Sequence, residues 1–138
     1  MARLEHDRIV QAIVAAEAKT SGEIRIFIQR GEIEDAVAEA RIKFQKLGMT
    51  GTRERNAVLI FVAPRSQKFA VVGDEGIHQR CGEEFWQQLV AAIGEHFQRA
   101  EFTAAIVQAI EVAGARLARH FPRTTDDRNE LPNRVEEG

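Results

Sequence analysis

The chain has 138 residues, of which 44% are apolar and 29% charged, enough for one domain with a core of its own and no need of metals or disulfides. Cys81 is the single cysteine, which excludes an intramolecular disulfide framework. The formal net charge of −2 is carried by residues 122–138, where five acids face three arginines; the neutral body lacks the basic field that nucleic-acid binding requires.

The first residues, Met1 to Asp7, are too polar for the hydrophobic stretch of a signal peptide. No apolar run approaches the roughly 20 residues of a membrane span. The expectation is a soluble, cytoplasmic protein without a direct membrane span. Residues 4–19 read as a helix, with Ile9, Ala12, Ile13 and Ala16 at three- and four-residue spacing and alanines that favour helix intrinsically. Thr20-Ser21-Gly22 ends it, with Gly22 suited to a left-handed terminus. Glu23 to Arg30 then alternates, Ile24, Ile26 and Ile28 against Arg25, Phe27 and Gln29, as a strand at or near a sheet edge does.

Gly31 breaks that strand, and Glu32, Glu34 and Asp35 supply the acidic start that a helix N-terminus prefers. Val37, Ala40, Phe44 and Leu47 form the helix's apolar stripe, which Gly48 closes. A polar loop, 49–56, leads into Val58 to Ala63, an uninterrupted apolar run rich in branched side chains, the signature of a strand covered on both faces. Pro64-Arg65-Ser66-Gln67 turns the chain, and Lys68 to Gly73 returns as the second arm of an antiparallel hairpin. Gly73-Asp74-Glu75-Gly76 reads as an acidic loop between two flexible glycines.

Two helices follow, striped by Phe85, Trp86, Leu89, Val90, Ile93 and Phe97, and by Phe102, Ile106, Ile110, Ala113 and Leu117. The sequence predicts an α/β fold in residues 1–121: a three-layer α/β/α sandwich on a small mixed sheet. In it β1, a helix and β2 make a right-handed parallel crossover, and β2 and β3 an antiparallel hairpin. Residues 122–138, with two prolines and many charges, read as a disordered acidic tail.

Three stretches together resemble the TPM domain family: Glu17-Ala18-Lys19-Thr20-Ser21-Gly22-Glu23-Ile24, Arg55 to Pro64, and Phe69-Ala70-Val71-Val72-Gly73-Asp74. That family includes thylakoid acid phosphatases, photosystem-repair proteins and bacterial proteins often encoded beside LemA-type membrane proteins. The resemblance spans about residues 5–120. It implies a small mixed sheet between helices, and an acid phosphatase, a calcium-binding protein or an accessory to a membrane complex. The chain departs from the family pattern twice. Arg55-Asn56-Ala57 stands where many relatives have Asp-Asn-Gly, and Gly73-Asp74-Glu75-Gly76-Ile77-His78 where many have Gly-Tyr-Gly-Leu-Glu.

Asp74 and Glu75, with Asn56 and Glu54 on the preceding loop, are the candidate metal ligands, since carboxylates on a loop suit calcium or magnesium. The plainer reading is a solvated turn. Arg53, Arg55 and His78 are candidates for holding an anion or an acidic partner, against the reading that the arginines pair with nearby carboxylates and that His78 starts a helix. Glu17 and Glu23 read as a helix-face charge and a strand-start residue rather than an acidic patch. His6, His96 and His120 have no triad or metal spacing, no phosphate loop or zinc pattern occurs, and Cys81 reads as a partly buried, inert thiol. No catalytic residue is assigned. Two functions remain: a non-enzymatic accessory module with a protein partner, such as a membrane-associated LemA-type protein, or a calcium- or magnesium-dependent acid phosphatase or cation-binding protein.

Overall fold

The structure is a computed structural model that describes residues 5–123 and the backbone of 135–137. The element order is α1 (His6–Glu17), β1 (Glu23–Ile28), α2 (Ala36–Lys46), β2 (Ala57–Ala63), β3 (Lys68–Gly73), α3 (Glu75–Gln98), α4 (Phe102–His120) and β4 (Val135–Glu137). β1 and β2 run parallel in the register Ile24↔Val58, Ile26↔Ile60 and Ile28↔Val62, and β2 and β3 form the antiparallel hairpin. The parallel crossover and the hairpin are as the sequence predicts.

Side-chain alternation divides the sheet between two cores. Ile24, Ile26, Ile28, Val58, Ile60 and Val62 pack against α1, α3 and α4 through Ile9, Ile13, Phe85, Leu89, Ile106 and Ile110. Phe27, Leu59, Phe61 and Ala70 face the other way, against Ala40, Phe44 and Met49 on and after α2. Phe27 and Phe61 stack there at 5.6 Å between ring centroids. Both faces of β2 are thus covered, which is why its seven residues, all buried, carry no polar side chain. The result is a three-layer α/β/α sandwich.

Several local expectations change. β1 lies near the sheet edge, as expected, but one strand in from it: the order is β3-β2-β1-β4, because residues 135–137 pair in parallel with Ile26–Ile28. All six residues of β1 are buried, Glu23 and Arg25 included. The remainder of the expected acidic tail, 124–134 and 138, lies outside the described residues. Gly22 does not adopt a left-handed conformation. A Cβ there would meet Leu117 Cδ1 at 3.0 Å and the Asn56 carbonyl oxygen at 3.3 Å, a tight fit of the turn against α4. Gly48 is the left-handed residue, with φ +69, and it stops α2 as expected. Asp35 caps α2 by accepting from the Ala38 amide at 3.1 Å.

Gly73-Asp74-Glu75-Gly76 is not a loop. Asp74 is the N-cap of α3, and Glu75 and Gly76 already form its first turn. α3 breaks at Gly82, whose φ of 74 and ψ of −178 divide it into a short first segment and a long second one. The second segment and α4 form an antiparallel pair under the sheet. Among the described residues, no helix is long and apolar enough to cross a membrane.

Candidate functional site

The N-terminal ends of β1 and β2 and the C-terminal end of β3 lie at one rim of the sheet, since Glu23 pairs with Ala57 and Val58 with Gly73. The loop before β2 and the start of α3 meet there. The Gly76 amide donates to the Arg55 carbonyl at 2.9 Å. Gly76 has to be glycine for this approach, because a Cβ would sit 2.3 Å from the Glu54 carbonyl oxygen and 2.6 Å from that of Arg55. Arg55 itself takes a left-handed conformation, φ 52, which turns its side chain onto the helix start.

There Arg55 grips Asp74 with two parallel bonds, Nε to Oδ2 at 2.6 Å and Nη2 to Oδ1 at 2.8 Å. This is the fork-on-carboxylate geometry that gives such pairs their strength. Asp74 Oδ1 also accepts from the Glu75 amide at 2.9 Å, so the buried carboxylate joins an ion pair to a helix cap. Glu75 lies outside this pair and approaches the same guanidinium at 3.5 Å, with its side chain 63% exposed. The hydrogen bond it donates to Asp74 is the main reason the Arg55 guanidinium holds its proton even more firmly than usual.

The sequence-predicted residues are brought together only in part. Arg55, Asp74 and Glu75 form one cluster. Asn56 is buried and donates through Nδ2 to Ser21 Oγ at 3.2 Å, toward β1. Glu54 and Arg53 have exposed side chains, and His78 is exposed on α3, its ring 4.9 Å from that of Trp86. Among the described residues, no three histidine, cysteine or acidic side chains converge in a metal-binding arrangement. Cys81 is buried, and that burial pushes its thiol up, away from the reactive thiolate.

A second acidic arrangement lies at the same rim. Glu17, the last residue of α1, is only 4% exposed, and Glu23 is 3% exposed. Glu17 Oε2 accepts from the Ile24 amide at 2.7 Å, whereas Oε1 has no hydrogen-bond partner. Burial, joined by the repulsion of Glu23, raises the Glu17 carboxyl from 4.5 to about 8. The sequence places Glu17 as a helix-face charge, and the structure buries it. A signal was present, because Ile9, Ile13 and Glu17 follow one another at four-residue spacing and so share the buried stripe of α1.

The family model described as the TPM domain matches residues 1–116. The chain belongs to the TPM domain family. Among solved structures, this TPM domain is similar to the BA42 protein of the psychrophilic bacterium Bizionia argentinensis, at 37% identity and a TM-score of 0.92, covering 99% of this chain and 97% of that one. Two further structures share the fold. They are the N-terminal domain of the cg2496 protein of Corynebacterium glutamicum (13% identity, TM-score 0.63, 96% of this chain and 77% of that one) and an N-terminal domain from P. gingivalis (10% identity, TM-score 0.62, 84% and 75%). No curated protein matches the chain significantly.

Proposed function

We propose that this TPM domain acts as a non-enzymatic accessory module that docks to a protein partner in a membrane-associated assembly, of the kind built on LemA-type proteins. One observation carries the reading: the buried acid of the rim, Asp74, is already neutralised by an internal cation. Both of its oxygens are held by Arg55, and one also caps α3. A calcium or magnesium ion would have to displace a two-bond guanidinium and a helix cap to reach that carboxylate. What remains accessible is an ordered rim, with Glu75, Glu54, Arg53 and His78 exposed around a rigid latch. That arrangement is suited to polar contacts with a protein surface.

The second reading, a calcium- or magnesium-dependent phosphatase or a cation-binding protein, is favoured by the exposed Glu75 carboxylate beside Asp74 and by membership of a family with phosphatase relatives. Phosphate-ester chemistry of that kind would use a bound ion to polarise the phosphoryl oxygens and activate water. Calorimetry with calcium and with magnesium, together with p-nitrophenyl phosphate turnover, separates the two. The accessory reading expects no ion binding and no turnover in the parent chain, with ion binding gained in Arg55→Asp. Turnover in the parent chain that disappears in Asp74→Ala would overturn it.

A further inference from the structure

The segment that follows α4 returns across the turn between α1 and β1, directly over the Glu17–Glu23 pair. The Phe121 carbonyl accepts from Thr20 Oγ1 at 2.5 Å and from the Ser21 amide at 2.9 Å. Thr20 and Pro122 form an isolated antiparallel bridge, and the Arg123 amide donates to the Lys19 carbonyl at 3.3 Å. Arg123 Nη1 adds a bond of 2.9 Å to the Glu17 carbonyl. Three consecutive residues, none of them in a regular element, thus strap down the end of α1.

Under this strap a buried carboxylic acid faces a second one. Loss of the Glu17 proton would leave an anion with Oε1 unpartnered, in a place closed to water. The influences on that anion rank clearly. Desolvation is the largest, the Ile24 amide comes next and favours the charge, the repulsion of Glu23 and then a hydrogen bond shared with the Glu23 side chain favour the protonated form, and the attraction of Arg123 is the weakest. Neither cation nor amide therefore replaces the missing water. Of the elements packed around the pair, β1 contributes Glu23 and the strap contributes Arg123. α4 presents the apolar Leu117 and Gly114 to this turn, while its Arg116 reaches away to Gln88 on α3 at 2.8 Å and Arg119 is exposed. Lys19, on the turn itself, is exposed. The strap lies outside the regular elements, held through Phe121, Pro122 and Arg123, and it is the one that yields to admit water.

We propose that the Glu17–Glu23 pair is a proton-held clasp: while it keeps its shared proton the Phe121–Arg123 strap stays seated, and in alkaline solution the strap lifts from the α1–β1 turn. This is independent of the function proposed for the opposite, Arg55–Asp74 side of the rim. It makes the seating of residues 121–123 on the α1–β1 turn responsive to protons.

The test is carbon-detected NMR on the full chain, which does not depend on exchangeable protons. The Phe121 and Lys19 carbonyls, acceptors of the strap bonds, are followed with the Glu17 carboxyl, and the Val62 carbonyl, which accepts from Gln29 inside the sheet, serves as control. The expected result is one transition near pH 8 shared by Glu17, Phe121 and Lys19, with Val62 stationary, and its disappearance at Phe121 and Lys19 in Glu17→Gln. A Glu17 midpoint near 4.5, strap carbonyls that stay still while Glu17 titrates, a Val62 signal that moves with them, or an unchanged transition in Glu17→Gln would each overturn the clasp. Should Glu17→Gln fail to fold, the three signals of the parent chain decide the matter alone.

Discussion

Two carboxylates at one rim of the same sheet meet burial in opposite ways. Asp74 is 5% exposed and is matched by a guanidinium and a helix N-terminus, so its charge has a partner on each oxygen. Glu17, 4% exposed, is matched by one backbone amide and faces another acid, so it keeps its proton instead. Equal burial therefore does not imply equal ionisation. Whether a charge survives in the interior depends on the donors supplied to it. The first arrangement fastens a loop to a helix through an ion pair; the second ties the neighbouring turn to the proton concentration.

The contrast can be broken most severely at Gly76. Gly76→Ala forces a Cβ into the Glu54 and Arg55 carbonyls and is expected to cost about 3 kcal/mol in urea unfolding, because backbone rather than a side-chain tip must move. Next is Asp74→Ala, which removes the cap of α3 and leaves the guanidinium without its carboxylate. The expected loss is about 2 kcal/mol by the same measurement at neutral pH.

Glu17→Gln sharpens the contrast from the other side, since the amide mimics the protonated acid and can donate toward Glu23. The sign follows from linkage. Glu17 binds its proton more tightly folded, at about 8, than at its ordinary 4.5, so the parent chain has this stability in full below pH 4.5 and loses it as pH rises to about 8. Denaturation across that window should show Glu17→Gln flattening the decline and gaining about 1–2 kcal/mol at pH 8. The smallest effect belongs to His78→Ala: an exposed ring resting on Trp86 should cost less than about 0.5 kcal/mol. A larger loss would show that the rim extends further along α3 than the latch does.

The sandwich was legible because period and composition agree in β2: an unbroken apolar run from Val58 to Ala63 demands cover on both faces, and α2 on one side and α1, α3 and α4 on the other provide it. β1 was harder to place. Arg25 and Glu23 made its second face look solvated, yet that face is buried, with Arg25 Nη1 donating to the Leu47 carbonyl at 3.4 Å and residues 135–137 alongside. Local alternation cannot reveal a neighbour that arrives more than a hundred residues later.

At the rim, Asp74 and Arg55 were both singled out as ligands for different guests, beside the plainer reading that the arginines pair with nearby carboxylates. That they hold each other depends on the left-handed Arg55 and on the tight contact at Gly76, which are properties of two loops in combination. Two glycines suggested a flexible loop, whereas Asp74 is a cap whose helix carries the weak helix former Gly76 in its first turn. Glu17 was missed for a different reason: at the end of an alanine-rich helix, its place on the Ile9–Ile13 stripe was outweighed by the usual exposure of glutamate.

The break at Gly82 has a mechanical consequence. Its backbone lies in a region open essentially to glycine, so the seven residues before it and the long stretch after it are joined by a swivel rather than by a continuous rod. The change of direction between the two segments is carried by this one residue. The short segment is thereby aimed at the rim and the long one laid along α4, two bearings that an unbroken helix could not give together.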